Sequence, residues 1–280
     1  MNPGSDFRAL HRGPRPLLLP NAWDYVTGAA LVDAGFPAIG TTSLGVALGA
    51  GIPDGEGLAR DETVRLARML VRLPCPVSVD IEGGFSEDVG EVAALCAELA
   101  GHGVAGVNLE DGRFGGVLVP AGHQVRVIDA VKRAAPELFV NARTDTCWLD
   151  ADRESTVDRV RAYAGAGADG VFVPGLSGDA AIADVVAAVE VPVNLLYDPD
   201  GAGVERLGEL GVRRVSTGSF LFRASLATTV ATAFAVRAGL SPPVTPPTYA
   251  RAQALVTKTL SGNRPRAGEA RKPDRPMKGN

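Results

Sequence analysis

The chain has 280 residues, of which 46% are hydrophobic, and its formal net charge is −4. This length suits one large domain, and the weakly acidic balance supplies no basic field for nucleic acid. Three cysteines without zinc-site spacing, an N-terminus without an apolar leader and the absence of a membrane-length apolar run predict a cytoplasmic protein with no nucleic-acid or membrane partner.

Eight apolar runs alternate along the chain with alanine-rich helical segments. The runs are nearly continuous in apolar character, which is typical of parallel strands buried on both faces. Eight such units favour an α/β fold of the (β/α)₈ TIM-type barrel class over an open doubly wound sheet, although one sequence leaves both possible. The predicted strands are 17–23, 38–43, 76–82, 106–110, 138–144, 170–175, 192–198 and 213–219, and the predicted helices are 24–34, 61–72, 88–101, 122–135, 153–165, 179–189, 203–210 and 220–238.

The C-terminal part differs in composition from the predicted barrel. Residues 1–240 are expected to form the barrel and to carry the catalytic site. Residues 241–260 are interpreted as a linker and a short amphipathic helix, whose apolar side must be buried somewhere, a partner subunit being one option. Residues 261–280 are rich in proline, glycine and charge and are predicted to be a disordered tail.

Carboxylates follow the third and fourth predicted strands. The stretch SVDIEGGFS places Asp80 and Glu82 two residues apart, so strand alternation predicts that both point to the same side. Glu110 ends the next strand, and the three acids can converge at the barrel mouth. A hard divalent cation with oxygen ligands, Mg²⁺ or Mn²⁺, fits such a cluster. The alternative is that the acids pair with Arg143 and backbone donors without a metal.

Two further strand ends carry groups that bind anions. Arg143 ends the fifth strand, where a guanidinium can hold a carboxylate, phosphate or enolate oxygen, or can form a salt bridge that stiffens the mouth. The hydroxyls and N–H groups of Thr42, Ser43 and Leu44 can cradle an anion after the second strand.

The segments LLLPNAWD, TTSLGVALGAGIPDGE, SVDIEGGF, GVNLEDG and FVNARTD occur in that order between residues 17 and 145. Together they resemble the isocitrate lyase/phosphoenolpyruvate mutase superfamily, and the resemblance extends over residues 15–225. The resemblance implies a (β/α)₈ barrel with a Mg²⁺-dependent site for small 2-oxo or 2-hydroxy carboxylates, and C–C or P–C chemistry beside an enolate. It also implies a homodimer or homotetramer, with a C-terminal helix exchanged between subunits.

The resemblance also assigns roles to individual positions. It implies metal-site carboxylates at Asp80, Glu82 and Glu110, with the longer Glu82 replacing a family aspartate. It implies further site residues at Arg143, at the backbone cradle Thr42, Ser43 and Leu44, at Asp54 in the loop after the second strand, and at Asn194 on the seventh strand.

One loop departs from the family pattern. Family lyases carry a cysteine acid/base after the fourth strand, and the mutases carry a lysine and an Asn-Ser pair there. Residues 112–125, GRFGGVLVPAGHQV, contain none of these. His123 is a candidate proton shuttle or a helix cap, and Arg113 is a candidate anchor for a distal substrate anion or a solvated side chain. Trp23 is expected to line the site or to pack against it.

These observations favour a Mg²⁺-dependent carbon–carbon lyase that acts on a small carboxylate through an enolate, with an unassigned proton donor. Two alternatives keep the scaffold: a phosphonopyruvate-type P–C mutase or hydrolase, and an oxaloacetate-type C–C hydrolase. A third alternative is a non-catalytic ligand-binding or regulatory barrel, which the altered loop suggests.

Overall fold

Strands alternate with helices along the chain and close into a barrel. This computed structural model describes residues 3–260. In chain order the strands are β1 (Leu17–Leu19), β2 (Asn21–Ala22), β3 (Ile39–Thr41), β4 (Val77–Asp80), β5 (Gly106–Glu110), β6 (Gly112–Arg113), β7 (Val117–Leu118), β8 (Phe139–Arg143), β9 (Gly170–Phe172), β10 (Val193–Leu196) and β11 (Arg214–Ser216). All of these except β6 and β7 belong to one parallel sheet, ordered β1-β11-β10-β9-β8-β5-β4-β3-β2.

The first barrel strand is interrupted at Pro20, and its two halves join the ends of the sheet. β1 pairs with β11, whereas β2 pairs with β3. Proline has no N–H to donate, but the Pro20 carbonyl accepts a hydrogen bond from Gly40 N at 2.9 Å. The sheet therefore has the eight-strand closure of a TIM-type barrel, which confirms the predicted fold class.

Helices follow the barrel strands at every predicted place. They are α1 (Pro3–Leu10), α2 (Tyr25–Asp33), α3 (Ser43–Gly49), α4 (Arg60–Leu70), α5 (Val89–Gly101), α6 (Ala121–Ala134), α7 (Thr156–Gly165), α8 (Asp179–Ala187), α9 (Val204–Glu209), α10 (Phe220–Ala238) and α11 (Tyr249–Leu260). Two of them, α1 and α3, were not predicted. Both are short and contain glycine, so packing rather than intrinsic propensity accounts for them.

Helix α1 closes the N-terminal end of the barrel. Phe7 is fully buried, with its ring 5.2 Å from Phe139, and His11 stacks on Phe139 at 4.6 Å. Gly106 makes room for this plug: a Cβ there would lie 2.8 Å from the Phe139 carbonyl oxygen and 3.2 Å from the Phe7 ring. Because α1 seals one end, ligands have access only to the opposite end, where the strands terminate.

The C-terminal helices lie outside the barrel wall. Phe222 is the one buried residue of α10 among the described residues. Helix α11 contacts α2, with an ion pair between Arg251 and Asp33 and with Leu255 packed on the main core. Residues 241–248 form no helix or strand, and the expected tail, 261–280, lies outside the described residues. Within residues 3–260, no helix is both long enough and apolar enough to cross a membrane.

His11 should make the stability of the protein fall in mild acid. Burial, with Arg214 nearby, lowers the pKa of His11 from 6.5 to about 4. Between these values the unfolded chain binds a proton that the folded chain does not, so stability is full above pH 6.5 and falls as the pH drops toward 4. The loss from this group is about 3 kcal/mol at most.

Urea denaturation of wild type and His11→Phe at pH 7 and pH 5 measures this effect. The variant keeps an aromatic ring against Phe139 but cannot titrate, so its stability should fall less between the two pH values. An equal fall in both proteins contradicts the assignment.

Candidate active site

A cavity of about 330 Å³ opens at the C-terminal ends of the barrel strands. Loops after most of the strands contribute to its wall, as expected for a barrel of this type. The wall combines carboxylates with large apolar side chains. The acidic residues are Asp54, Asp80, Glu82, Glu110 and Asp145, and the large apolar ones are Leu44, Phe114, Trp148, Leu149, Phe172, Pro174 and Leu196.

Arg143 lies between two of these carboxylates. Strand register places Glu110 of β5 beside Arg143 of β8, and Arg143 Nη1 lies 2.7 Å from Glu110 Oε2. Its Nε lies 2.5 Å from Asp145 Oδ1. Burial alone would lower the pKa of Arg143, but Glu110, Asp145 and Asp80 together raise it. The guanidinium is therefore a fixed cation in this wall.

The stretch from Asp80 to Phe85 leaves the strand by a sharp turn. Asp80 ends β4, and Glu82 follows with a φ of 50°, in the left-handed region that disfavours side chains. Glu82 Oε2 accepts a hydrogen bond from Gly57 N at 3.1 Å. Both acids line the cavity, as strand alternation predicts, but Glu82 reaches it through this turn rather than through a continued strand.

The cavity wall holds more negative than positive charge. Burial raises the pKa of Asp80, Glu110 and Asp145, although Arg143 opposes each shift. Burial, with Asp80 and Asp54 nearby, raises the pKa of Glu82 to about 7, although the Gly57 N–H opposes the shift. Such shifts are typical of functional sites, where a bound cation or protons offset the charge.

The donor set fits a hydrated Mg²⁺ ion better than a directly bound one. Within residues 3–260, no three His, Cys, Asp or Glu side chains lie close enough to hold one metal ion. The available donors are all oxygens, and Asp54 Oδ1 is buried without a partner. Mg²⁺ prefers oxygen ligands and usually retains several waters, so carboxylates can hold it without converging on one point. Coordination by Asp80, Glu82 and Glu110 stays a prediction.

The predicted anion cradle lies against the acids. Thr42, Ser43 and Leu44 line the cavity at the start of α3. Ser43 N donates to Asp80 Oδ2 at 3.4 Å, and the Ser43 side chain hydrogen-bonds with Asp54, where burial still raises the pKa of the carboxyl. Ser43 therefore connects the loop after β3 to the end of β4.

Arg113 lines the cavity, but other groups already engage its guanidinium. Its Nε lies 2.6 Å from Glu87 Oε1, and Nη1 donates to the carbonyls of Glu110 and Gly112 at 3.0 and 2.9 Å. A Cβ on Gly83 would lie 2.3 Å from Nη1, so glycine makes room for this arrangement. Arg113 thus ties the loop after β4 to the loop after β5.

Three predicted residues lie outside the cavity wall. Trp23 contacts Phe222, with ring centroids 5.3 Å apart. Asn194 hydrogen-bonds to Ser216 inside the barrel, at 3.1 Å. His123 lies near the start of α6, with Nε2 3.9 Å from Glu87 Oε2. The structure brings the other predicted residues together around Arg143.

Asp145 is a site residue that the sequence analysis did not select. Its backbone N donates to Asp111 Oδ1 at 2.8 Å, and Asp111 Oδ2 accepts from Tyr163 at 2.6 Å and from Arg159 at 3.0 Å. Helix α7 thereby supports the loop that carries Asp145. Asp145 lies two residues after Arg143 in the segment NARTD, and this spacing is the signal that could have identified it. No sequence pattern connects Arg159 or Tyr163 with the site.

Comparison with known proteins identifies relatives of this chain in sequence and in fold. The family model for phosphoenolpyruvate phosphomutase matches residues 7–237. An uncharacterized protein of Mycobacterium tuberculosis is 43% identical over 250 residues, covering 89% of this chain and 95% of that protein. Oxaloacetate decarboxylase of Ectopseudomonas mendocina is 30% identical over 241 residues, covering 80% and 81%. A crystal structure of phosphonopyruvate hydrolase with oxalate and Mg²⁺ shares the fold, with a TM-score of 0.80 at 21% identity over 93% of this chain and 97% of that one.

Neutralising Glu82 should stabilise the metal-free protein. Among the described residues, no cation lies within ion-pair distance of Glu82, which faces Asp80 and Asp54. Glu82→Gln keeps the side-chain size but removes one of several crowded charges, so the free energy of unfolding at pH 8 in EDTA should rise by on the order of 1–2 kcal/mol.

Urea denaturation measures this difference. Glu190→Gln, at an exposed position before β10, is the matched control and should change stability by less than about 0.5 kcal/mol. A less stable Glu82→Gln protein contradicts an excess of negative charge in the cavity.

Proposed function

The chain belongs to the phosphoenolpyruvate phosphomutase family, and from this premise we propose that it is a Mg²⁺-dependent carbon–carbon lyase acting on a small 2-oxo or 2-hydroxy carboxylate through an enolate. The family lies in the isocitrate lyase/phosphoenolpyruvate mutase superfamily, whose enzymes make or break C–C or P–C bonds in small carboxylates. The observation that supports the proposal is the buried Arg143 guanidinium among several carboxylates. A fixed cation beside a metal site can stabilise an enolate oxygen.

The chemical composition of the cavity wall favours decarboxylation of a 2-oxo diacid such as oxaloacetate. Among the described residues, no lysine, cysteine, histidine or tyrosine lines the cavity. In decarboxylation the electrons of the broken C–C bond pass to the 2-oxo group, CO₂ leaves, and water supplies the proton. This reaction needs no protein base, whereas cleavage of a hydroxy acid needs one to remove the hydroxyl proton, a role for which the described wall offers only carboxylates. The similarity to an oxaloacetate decarboxylase agrees with this choice.

Each group of cavity residues would have a distinct role in the reaction. A Mg²⁺ ion held by Asp80, Glu82 and Glu110, or Mn²⁺ in its place, would supply Lewis-acid polarisation of the 2-oxo group. Arg143 stabilises the negative charge that develops on the enolate oxygen. The backbone and hydroxyl groups of Thr42, Ser43 and Leu44 orient the substrate carboxylate. Asp145 holds the Arg143 guanidinium in place.

The cavity suits a substrate with no more than two carboxylates. Arg113 and Arg143 are the cations that line it among residues 3–260, and carbonyls and Glu87 already occupy Arg113. Arg143 and the proposed Mg²⁺ ion can each partner one substrate carboxylate. A third carboxylate would have no cationic partner, which is costly in a buried site. The apolar wall, which includes Phe172 and Leu196, fits a short alkyl group instead.

A C–C hydrolase is the second candidate. Asp54 has a raised pKa and an unpartnered buried oxygen, so it can accept a proton from an attacking water. A P–C mutase is disfavoured because the loop of residues 112–125 lacks the lysine and the Asn-Ser pair of the mutases. A non-catalytic binding barrel is the alternative from another class, and it predicts ligand binding without turnover.

Turnover of oxaloacetate tests the proposal. Wild type with Mg²⁺ should form pyruvate above the metal-only background, and EDTA should abolish the reaction. Asp80→Asn and Arg143→Lys should lower kcat/KM by about 10²- to 10³-fold, because each removes charge stabilisation of the enolate. Glu190→Gln, exposed before β10, is the surface control and should match wild type.

Product analysis separates the alternatives. Oxalate and acetate in place of pyruvate identify a hydrolase, and a phosphonopyruvate assay covers the P–C reactions. Full activity of Asp80→Asn would exclude the metal assignment. Oxalate binding without turnover of any of these substrates or 2-methylisocitrate would favour the binding barrel.

We also propose that a second copy of the chain covers helix α10. Leu226, Val230 and Phe234 are each about half exposed, at 49%, 54% and 53%, and their spacing of four residues places them on one face. Such an apolar stripe is typical of a subunit interface. The proposal is a homodimer, or a homotetramer built from dimers, in which this helix is exchanged. The three free cysteines support a cytoplasmic location, which likewise stays a proposal.

Charge in this stripe should dissociate the assembly. Light scattering after size exclusion should give a multiple of 28.9 kDa for wild type and about one chain mass for the double variant Val230→Asp/Phe234→Asp. Thr229→Asp, at an exposed position of α10 outside this stripe, is the control and should assemble as wild type does. A monomeric wild type contradicts the proposal.

A further inference from the structure

Polar side chains fill the barrel interior directly beneath the cavity. Asn108, Asn141, Asn194, Arg214 and Ser216 are each no more than 4% exposed. Arg214 is the largest fully buried side chain, and its guanidinium lies 5.8 Å from the Phe7 ring of the α1 plug. Burial lowers the pKa of Arg214 only to about 9, so the group remains a cation and a hydrogen-bond donor at neutral pH.

Arg214 fixes the orientation of the Asn108 amide. Arg214 Nη2 donates to Asn108 Oδ1 at 3.1 Å. A guanidinium has no acceptor, so the oxygen, not the nitrogen, of the Asn108 amide must face it. Strand register places Asn141 beside Asn108, and Asn141 Nδ2 donates to the same oxygen at 2.8 Å. The two lone pairs of Oδ1 are therefore both used.

This orientation leaves the amide nitrogen for the cavity. Within residues 3–260, Asn108 Nδ2 has no hydrogen-bond partner, and Asn108 lines the cavity. Asn141 Oδ1 and Arg214 Nη1 also lack partners, but both atoms are fully buried in the interior. Asn108 Nδ2 is not fully buried. The floor of an acidic cavity thus presents a neutral N–H donor whose direction the protein has fixed in advance.

We propose that Asn108 is a substrate-binding residue whose Nδ2 donates a hydrogen bond to an oxygen of the bound carboxylate substrate, and that Arg214 is the positioning residue that holds it in that orientation. The inference rests on the proposed function, because it requires an anionic oxygen ligand. A donor matters here because two carboxylates already engage Arg143, and an ionised carboxylate of the wall can only accept hydrogen bonds. A preset donor also needs no reorganisation when the ligand binds.

Two substitutions of Asn108 test the donor. Asn108→Asp keeps an oxygen toward Arg214 and Asn141 but presents an acceptor to the ligand, and Asn108→Ser shortens the side chain without adding charge. Calorimetric titration of oxalate at saturating Mg²⁺ should show binding roughly 10- to 100-fold weaker for both variants than for wild type. Circular dichroism melting without ligand identifies variants that remain folded.

Ser78→Ala is the matched control. Ser78 is a buried polar residue of β4, with an unpartnered Oγ, and it does not line the cavity. Its replacement changes the barrel interior without removing a group that faces the ligand, so oxalate binding should match that of wild type.

A double-mutant cycle tests the positioning role of Arg214. Arg214→Met should weaken oxalate binding in the wild-type background but not in the Asn108→Ser background, and Arg214→Lys should restore part of the affinity. A purely structural role would give additive effects in the two backgrounds.

The outcomes distinguish this inference from the proposed function. If wild type binds no oxalate with Mg²⁺, the proposed function fails and the role of Asn108 fails with it. If wild type binds oxalate and a folded Asn108→Ser protein binds it with the same affinity, the role of Asn108 fails while the proposed function stands. Selective weakening in the Asn108 variants supports both.

Discussion

The rest of the site depends on the ion pairs that the buried Arg143 guanidinium forms with Glu110 and Asp145. The position of Arg143 follows from the register of β5 and β8, which places Glu110 beside it. Asp145 binds its other edge and is itself held by Asp111, which Arg159 and Tyr163 support from α7. One cation cannot balance all of these acids, so we propose that the geometry that fixes Arg143 also favours binding of a divalent cation. Loop support and the proposed metal site are therefore parts of one electrostatic arrangement.

The barrel mouth also contains two energetically unfavourable features, strained backbone and crowded negative charge. Glu82 and Phe85 have positive φ values in the turn after β4, with φ of 50° and 58°. Strained backbone and crowded charges persist only where surrounding structure holds them in place. The Gly57 N–H that binds Glu82 and the Arg113 contacts to two loops provide this support. The polar barrel interior around Arg214 is a second such feature, and it connects the N-terminal plug to the cavity floor.

The barrel and its mouth could be predicted from the sequence because their signals are local. Apolar runs and glycine stops identified each barrel strand and the helix after it, and acids at strand ends identified Asp80 and Glu110. Helix α1 was missed because its stability comes from burying Phe7 against Phe139, a contact far apart in sequence. The contacts of Arg113 with Glu87 and with backbone carbonyls depend on the paths of two loops. The position of Asn194 inside the barrel depends on strand register. The orientation of Asn108 depends on Arg214, which lies 106 residues away along the chain.

Titration of Mg²⁺ into the metal-free protein at constant ionic strength tests the central claim most directly. If the acids around Arg143 form a divalent-cation site, calorimetry should detect one Mg²⁺ ion per chain, and the melting temperature should rise as that site fills. Asp80→Asn should lose most of this affinity while remaining folded. A wild-type chain that takes up no Mg²⁺, and melts at the same temperature with and without it, would contradict the account.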